Sequence, residues 1–282
     1  MRRRIPLFML FVWILSTGFS ILLPQNPADK IASSLALAAS VIFGLCHGAR
    51  RYGFRSSLTF FIIAVLVSNI FENLSIATGF PFGFYTHSAQ MGPKLFLVPL
   101  VIGPGYFVLC YLAWTLANAL TSGVPAPGRL KWTLTMPLIA SFIVVGADLC
   151  ADPLGSTLAH DWVYAHGGAF FGVPLSNYLG WFLVTWVIFQ AFNIYLASCD
   201  IRRRAVSKTY WYEAAAFWAA MGLQYPLILL MSKGSVTVLD SAGWAWRSGD
   251  ILQTASIISL YTMLAAAVTS AGIVSLQNTD ES

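Results

Sequence analysis

Eight apolar runs, at about 5–23, 31–48, 58–78, 95–120, 133–152, 176–198, 213–231 and 251–274, set the first limit on this chain. Each approaches or exceeds the ~20 residues that an α-helix needs to cross the hydrocarbon core of a bilayer. Lipid offers no partner for backbone N–H and C=O groups, so spanning segments are helices or a closed barrel. None of the runs shows the strict alternation of a barrel strand. Charged residues make up 10% of the chain, against roughly a quarter in a soluble domain. The expectation is therefore all-α: a polytopic integral membrane bundle of about eight transmembrane helices in a single domain, 1–282.

Charge fixes the expected orientation. Arg2, Arg3, Arg4, Arg50, Arg51, Arg55, Arg129, Lys131, Arg202, Arg203, Arg204 and Lys208 fall at the start and in alternate loops. Only Lys30, Lys94, Lys233 and Arg247 fall on the other side. Basic loops stay inside, which places the N- and C-termini in the cytoplasm, in a bacterial cytoplasmic membrane. The net charge of +5 comes from these loops and gives no reason to invoke nucleic acid. No small-x-small cleavage site follows "MRRRIPLFMLFVWILS", so the first run reads as a retained helix. Cys46, Cys110, Cys150 and Cys199 form neither a disulfide framework nor a C-x-x-C metal pattern.

The two outer loops at about 79–94 and 153–175 stand apart, being rich in glycine and aromatics and nearly free of Lys and Arg. Each follows a helix with an acid near its outer end. Each ends in a Val-Pro-Leu step, Val98-Pro99-Leu100 and Val173-Pro174-Leu175. Helices three and four thus read as a parallel repeat of helices five and six, offset by about 75 residues. Residues 65–178 form the expected core of a site, with 1–57 and 199–282 as flanking helices and tail.

Most of the eleven Asp and Glu residues, Glu213 among them, fall in loops, tails or helix edges. Glu72, Asp148 and Asp152 remain at membrane depth, where an ionised acid costs ~2.5–3.5 kcal/mol at a helix centre. Asp148 and Asp152 are four apart and share a helix face, while Ser68/Glu72 and Asn69/Asn73 form a polar stripe. Asn177 and Trp181 repeat the spacing on the sixth run. Interhelical hydrogen bonding would account for Asn69 or Asn177 alone. Three carboxyls without a Lys or Arg at that depth are better read as a catalytic set. Burial disfavours the charged form of a carboxyl, which makes such a group a proton donor near neutral pH. Phe82, Tyr85, Trp162, Tyr164, Phe171 and Trp181 offer π faces that would stabilise a cation, and with Asn73 and Asn177 they form the expected substrate-binding set. The chemistry this suggests is protonation of an alkene to a tertiary carbocation, in a pocket that admits lipophilic chains from membrane lipid. Four histidines are too few for a histidine-rich di-iron site, and neither a phosphate-cradling glycine loop nor a Gly-x-Ser-x-Gly elbow is present.

The segments "TGFPFGFYT", "MGPKLFLVPL", "DLCADPLGS", "WVYAHGGAFFGVPLSNYLGW" and "DSAGWAWRSGDI", across about 65–260, resemble a membrane family named for carotenoid biosynthesis, whose characterised members are carotenoid hydratases. The resemblance implies water addition across a terminal double bond of a linear carotenoid end, without a cofactor. It carries over Glu72, Asp148 and Asp152 as the family's acids, Asn177 as the Asn of its Gly-Val-Pro-x-x-Asn step, and Tyr85 and Trp162 as aromatic positions. Phe84 and His87 depart from the family's pattern, which leaves the substrate open. Two other outcomes stay open. An integral membrane terpene cyclase would start by protonation, or by ionising a prenyl diphosphate with Mg²⁺ on Asp148 and Asp152. A proton-coupled transporter or lipid-binding protein would also keep acids in the membrane.

Overall fold

The computed structural model describes residues 4–24, 26–122, 131–201 and 203–277. Arg2, Arg3, Arg129, Arg202, Asp280 and Glu281 lie outside them, as does the side chain of Lys131. Among the described residues the chain forms eight long helices: α1 (Arg4–Leu22), α2 (Asp29–Tyr52), α3 (Phe54–Thr78), α4 (Ile102–Leu120), α5 (Thr133–Leu158), α6 (Leu175–Ser198), α7 (Lys208–Met231) and α8 (Ser248–Leu276). Seven are long and apolar enough to cross a membrane. The other is α4, whose sequence includes Gly103, Pro104, Tyr106, Trp114 and Asn118 and whose residues are mostly buried. It packs against α2, α3, α5, α7 and α8, so its neighbours on most sides are other helices of the bundle. The protein is an integral membrane helical bundle.

Two helix limits differ most from the sequence reading. The fourth run was expected from 95, but α4 begins at Ile102. Before it, β2 (Lys94–Leu95) and β3 (Val98–Pro99) make a tight antiparallel hairpin, with Lys94 opposite Pro99. Pro93 and Pro99 have no N–H to give a helix, whereas Pro104 sits in the first turn of α4, where none is needed. The fifth run was expected to end at 152, but α5 continues through Pro153 into a wide i→i+5 turn over Leu154–Leu158. Such turns absorb a local irregularity in a helix and are frequent at functional sites.

Lipid gives no hydrophobic drive for helix association, so close packing of small residues carries it. Gly44 and Gly48 on α2 form a Gly-x-x-x-Gly step against α4. A Cβ added at Gly44 would meet the Phe107 ring at 2.7 Å, and one at Gly48 would meet Ser57 Oγ at 2.7 Å and Tyr111 at 2.9 Å. We expect Gly48→Leu to cost about 1–3 kcal/mol, the usual cost of overpacking. Thermal unfolding in detergent checks this, and an unchanged midpoint would disprove the close packing. Behind that contact Phe60 stacks on Phe192 with ring centroids 4.1 Å apart.

One end of the bundle is basic. Arg204 N donates to Arg51 O, and Lys208 Nζ donates to Ser275 O at 3.0 Å and Gln277 O at 2.7 Å, capping the last turn of α8. The α2–α3 and α6–α7 connections therefore meet at the same end as the C-terminal end of α8. Glu213, expected at a helix edge, is instead buried there. Arg50 ion-pairs with it, and His47 Nε2 lies 3.4 Å from its carboxylate. The side chains of His47 and Arg50 reach across from α2 to Glu213 and to Tyr210 one turn before it.

The glycine-rich loops meet at the opposite end. Helices α3, α4, α5 and α6 form a ring in which each packs on the next, and α6 closes on α3. Above the ring β1 (Tyr85–His87) pairs antiparallel with β4 (Trp162–Tyr164), Tyr85 opposite Tyr164 and His87 opposite Trp162. Two parallel copies related by an axis along the membrane normal would bring their equivalent strands together in this way.

Candidate active site

Two hydrogen-bonded acid clusters face each other below the β1–β4 pair. On α5, Asp148 and Asp152 lie one turn apart and are both buried. Asn177, in the first turn of α6, donates from Nδ2 to Asp148 Oδ2 at 3.0 Å and also to Asp152 Oδ2. Tyr164 on β4 donates its hydroxyl to the same Asp152 oxygen at 2.8 Å.

The second cluster is built on Glu72 of α3, also buried. Its Oε2 accepts from the Tyr85 hydroxyl and lies 3.2 Å from His87 Nε2, while Oε1 accepts from the Tyr106 hydroxyl at 2.8 Å. The two clusters echo each other. Glu72 bonds a tyrosine 13 residues on, Asp152 bonds one 12 residues on, and those tyrosines are cross-strand partners with rings 5.6 Å apart. Burial first, and the adjacent carboxylate second, push both phenols well above their ordinary range. Tyr85 and Tyr164 are therefore fixed O–H donors.

Small residues let the aromatics close over this centre. A Cβ at Gly155 would meet the Trp162 ring at 2.2 Å, and one at Gly180 would meet the Phe82 ring at 2.6 Å. Ser75 Oγ accepts from Phe82 N at 3.0 Å and donates to Gly83 O at 2.8 Å, tying the first loop to α3. Trp181 lies flat against Tyr106, their centroids 4.2 Å apart with planes 5° from parallel.

The acids, His87 and these aromatics line a cavity of about 560 Å³ that runs on along α1, α2, α4 and α7. Neither Lys nor Arg is among its described lining residues, so a diphosphate would find no counter-charge there. Among the described residues no three His, Cys, Asp or Glu side chains come together as a metal-ligand group.

Of the residues singled out from sequence, Glu72, Phe82, Tyr85, Asp148, Asp152, Trp162, Tyr164, Asn177 and Trp181 share this cavity. Asn73 and Phe171 do not. Asn73 turns about 100° from Glu72 on the same helix. Its Oδ1 accepts from Leu97 N at 2.9 Å and its Nδ2 donates to Asn69 O, so it anchors the β2–β3 hairpin. Phe171 has φ of 51° and packs on Trp246 and Phe170, while its carbonyl accepts from Thr157 Oγ1. Sequence reasoning missed Tyr106, His87 and the α1–α2 wall. The signal for Tyr106 was a hydroxyl in the first turns of α4, whereas the second tyrosine of that helix, Tyr111, bonds His47 and Tyr210.

This defines the class: a polytopic membrane protein with a buried, aromatic-roofed acid centre at one end of the bundle. The family model for carotenoid biosynthesis proteins matches residues 29–240, and the chain belongs to that family. A bisanhydrobacterioruberin hydratase of Haloarcula japonica is 30% identical over 144 residues, which is 51% of this chain. The chain matches about half, 47%, of that relative's length. No solved structure matches the chain.

Proposed function

We propose that this protein is a carotenoid hydratase, adding water across a terminal C=C of a linear carotenoid end by acid catalysis. The observation that carries the reading is the pair of acid clusters, one on α5 and one on α3, facing a single apolar cavity. The named activity of the Haloarcula japonica relative supports it. Hydration needs a proton on one carbon and water on the other, so it needs a donor and an acceptor held apart.

Asp152 Oδ2 already accepts from Asn177 and Tyr164, whereas among the described residues Asp148 accepts from Asn177 alone. Asp148 is then the acid that carries the proton, and Asp152 with Asn177 holds it in place. Its proton goes to the less substituted alkene carbon, leaving a tertiary cation beside the π faces of Tyr106, Trp181 and Trp162. Three donors on Glu72 leave one of a carboxylate's roughly four acceptor positions for a water. That water forms the C–O bond and passes a proton to Glu72, which returns it to Asp148 before the next turnover. Water and alkene supply every atom of the tertiary alcohol.

The basic end of the bundle is the cytoplasmic one in this reading, so the acid centre lies toward the outer leaflet. Expression in a carotenoid-producing bacterial host tests the assignment. A carotenoid heavier by one water is expected in cells carrying the protein. Unchanged carotenoids in cells that demonstrably make it would refute hydration.

A further inference from the structure

The cavity lies at the end of the bundle that holds the acids. Helices α2 and α4 run in the same direction and touch at Gly44–Phe107 and Gly48–Tyr111, where no Cβ would fit. Toward the other end both helices face the cavity. Ser33 and Leu37 of α2 and Val101, Ile102 and Gly105 at the start of α4 line the cavity from opposite sides. Ser33 and Val101 line the cavity and are themselves exposed, next to Leu35 and Leu100, which are exposed and do not line it, so the geometry points to a mouth between these helices. Gly103 is pressed against Val65 of α3, with a Cβ contact of 3.0 Å, whereas a Cβ on Gly105 would meet nothing within 4 Å. Gly105 is therefore not required by helix packing, and its missing side chain leaves open space.

The rim of this opening is apolar. In the hairpin just before α4, Leu95, Leu97 and Leu100 are exposed and Phe96 is 81% exposed. Aromatic and aliphatic side chains presented together in this way suit the acyl boundary of a leaflet. The lining residues run from Ser33 to Ser40 on α2 and from Val101 to Leu109 on α4, so along these helices the cavity is roughly 10–12 Å deep at 1.5 Å per residue. A linear carotenoid is several times longer.

We propose that the substrate enters sideways from the bilayer, end first, through the α2–α4 opening, and that only one half of the chain is inside during reaction while the other stays in lipid. Gly105 is the specificity-determining residue that keeps this passage wide enough for a methyl-branched polyene. The proposal rests on the carotenoid reading of the same cavity and deepens it. Two consequences follow from the geometry. The group at the far end of the chain is not inspected, and a chain with two open ends is released between its two hydrations.

The full chain in membranes is given a linear carotene with two open ends, or the same chain with one end glycosylated. Carotenoid absorbance co-eluting with the purified protein is read alongside. The open end of both substrates is expected to react within about threefold of the same rate, with the singly hydrated carotene appearing free before the doubly hydrated one. Gly105→Phe should lower rate and bound carotenoid about tenfold or more on both substrates. Monodisperse elution of the variant shows that it is folded.

Rejection of the glycosylated chain, or a doubly hydrated product with no free intermediate, would overturn the half-chain geometry. Unaltered binding and rate in folded Gly105→Phe would overturn the passage. Carotenoid that binds wild type and is lost in Gly105→Phe, with no water added by either, would sink hydration and leave the passage standing. No bound carotenoid and no product in wild type would sink both.

Discussion

Asp148→Asn should abolish detectable water addition, with a loss on the order of 10²–10⁴-fold, the range expected when a positioned general acid is removed. The amide is nearly isosteric, and among the described residues Asp148 makes one side-chain hydrogen bond, from Asn177 Nδ2 at 3.0 Å. Asparagine can still accept that bond through its carbonyl oxygen, so the fold should survive. What it lacks is a proton to give to carbon. Deuterium makes the test sharper. In D₂O, reversible protonation by the wild-type enzyme should place deuterium in recovered alkene. Asp148→Asn should lose both that exchange and the alcohol. If it kept the exchange, Asp152 or Glu72 would be the donor, and the roles given to the α5 pair would have to be reversed.

Glu72→Gln separates the second half of the reaction from the first. Its carboxylate takes hydrogen bonds from Tyr85 and Tyr106 and lies 3.2 Å from His87 Nε2. Glutamine has one acceptor oxygen for these donors and cannot take a proton from water. Alcohol formation should fall by about 10²-fold or more, while deuterium exchange into recovered alkene persists because Asp148 is intact. A merely structural Glu72 would move both readouts together. The variant should also be less stable, since each buried donor left without a partner costs about 1–3 kcal/mol. The midpoint of thermal unfolding in detergent measures that part separately. Glu72→Ala strands all of these donors and should fall further, which orders the two variants.

Much of this centre was legible in the chain because an ionisable group in an apolar run is conspicuous. Glu72, Asp148 and Asp152 could be picked out one by one, and the four-residue spacing of the aspartates placed them on one face. Asn177 followed from its place at the head of a spanning segment. The errors have local causes. Asn73 sits beside Glu72 in sequence but points to the β2–β3 hairpin, since consecutive residues on a helix face about 100° apart. Phe171 was grouped with its aromatic neighbours, yet its left-handed φ turns it toward Trp246. Glu213 was placed at an edge because it lies near the start of α7, but the fold brings His47 and Arg50 of α2 onto its buried carboxylate.

The sequence by itself determined the medium, the helices and the identity of the acids. Those properties depend on how many apolar residues stand in a row and which of them are interrupted. The tertiary structure alone decided that Tyr85 and Tyr164 are opposed across the β1–β4 pair, each bonding the acid of its own half. It also decided that Tyr106 of α4 reaches Glu72, and that α2 and α4 touch at Gly44 and Gly48 yet face the cavity toward their other end. The reason is physical: periodicity reports which face of a helix is apolar, but two faces of equal apolarity become a sealed contact or a cavity according to the angle at which the helices cross.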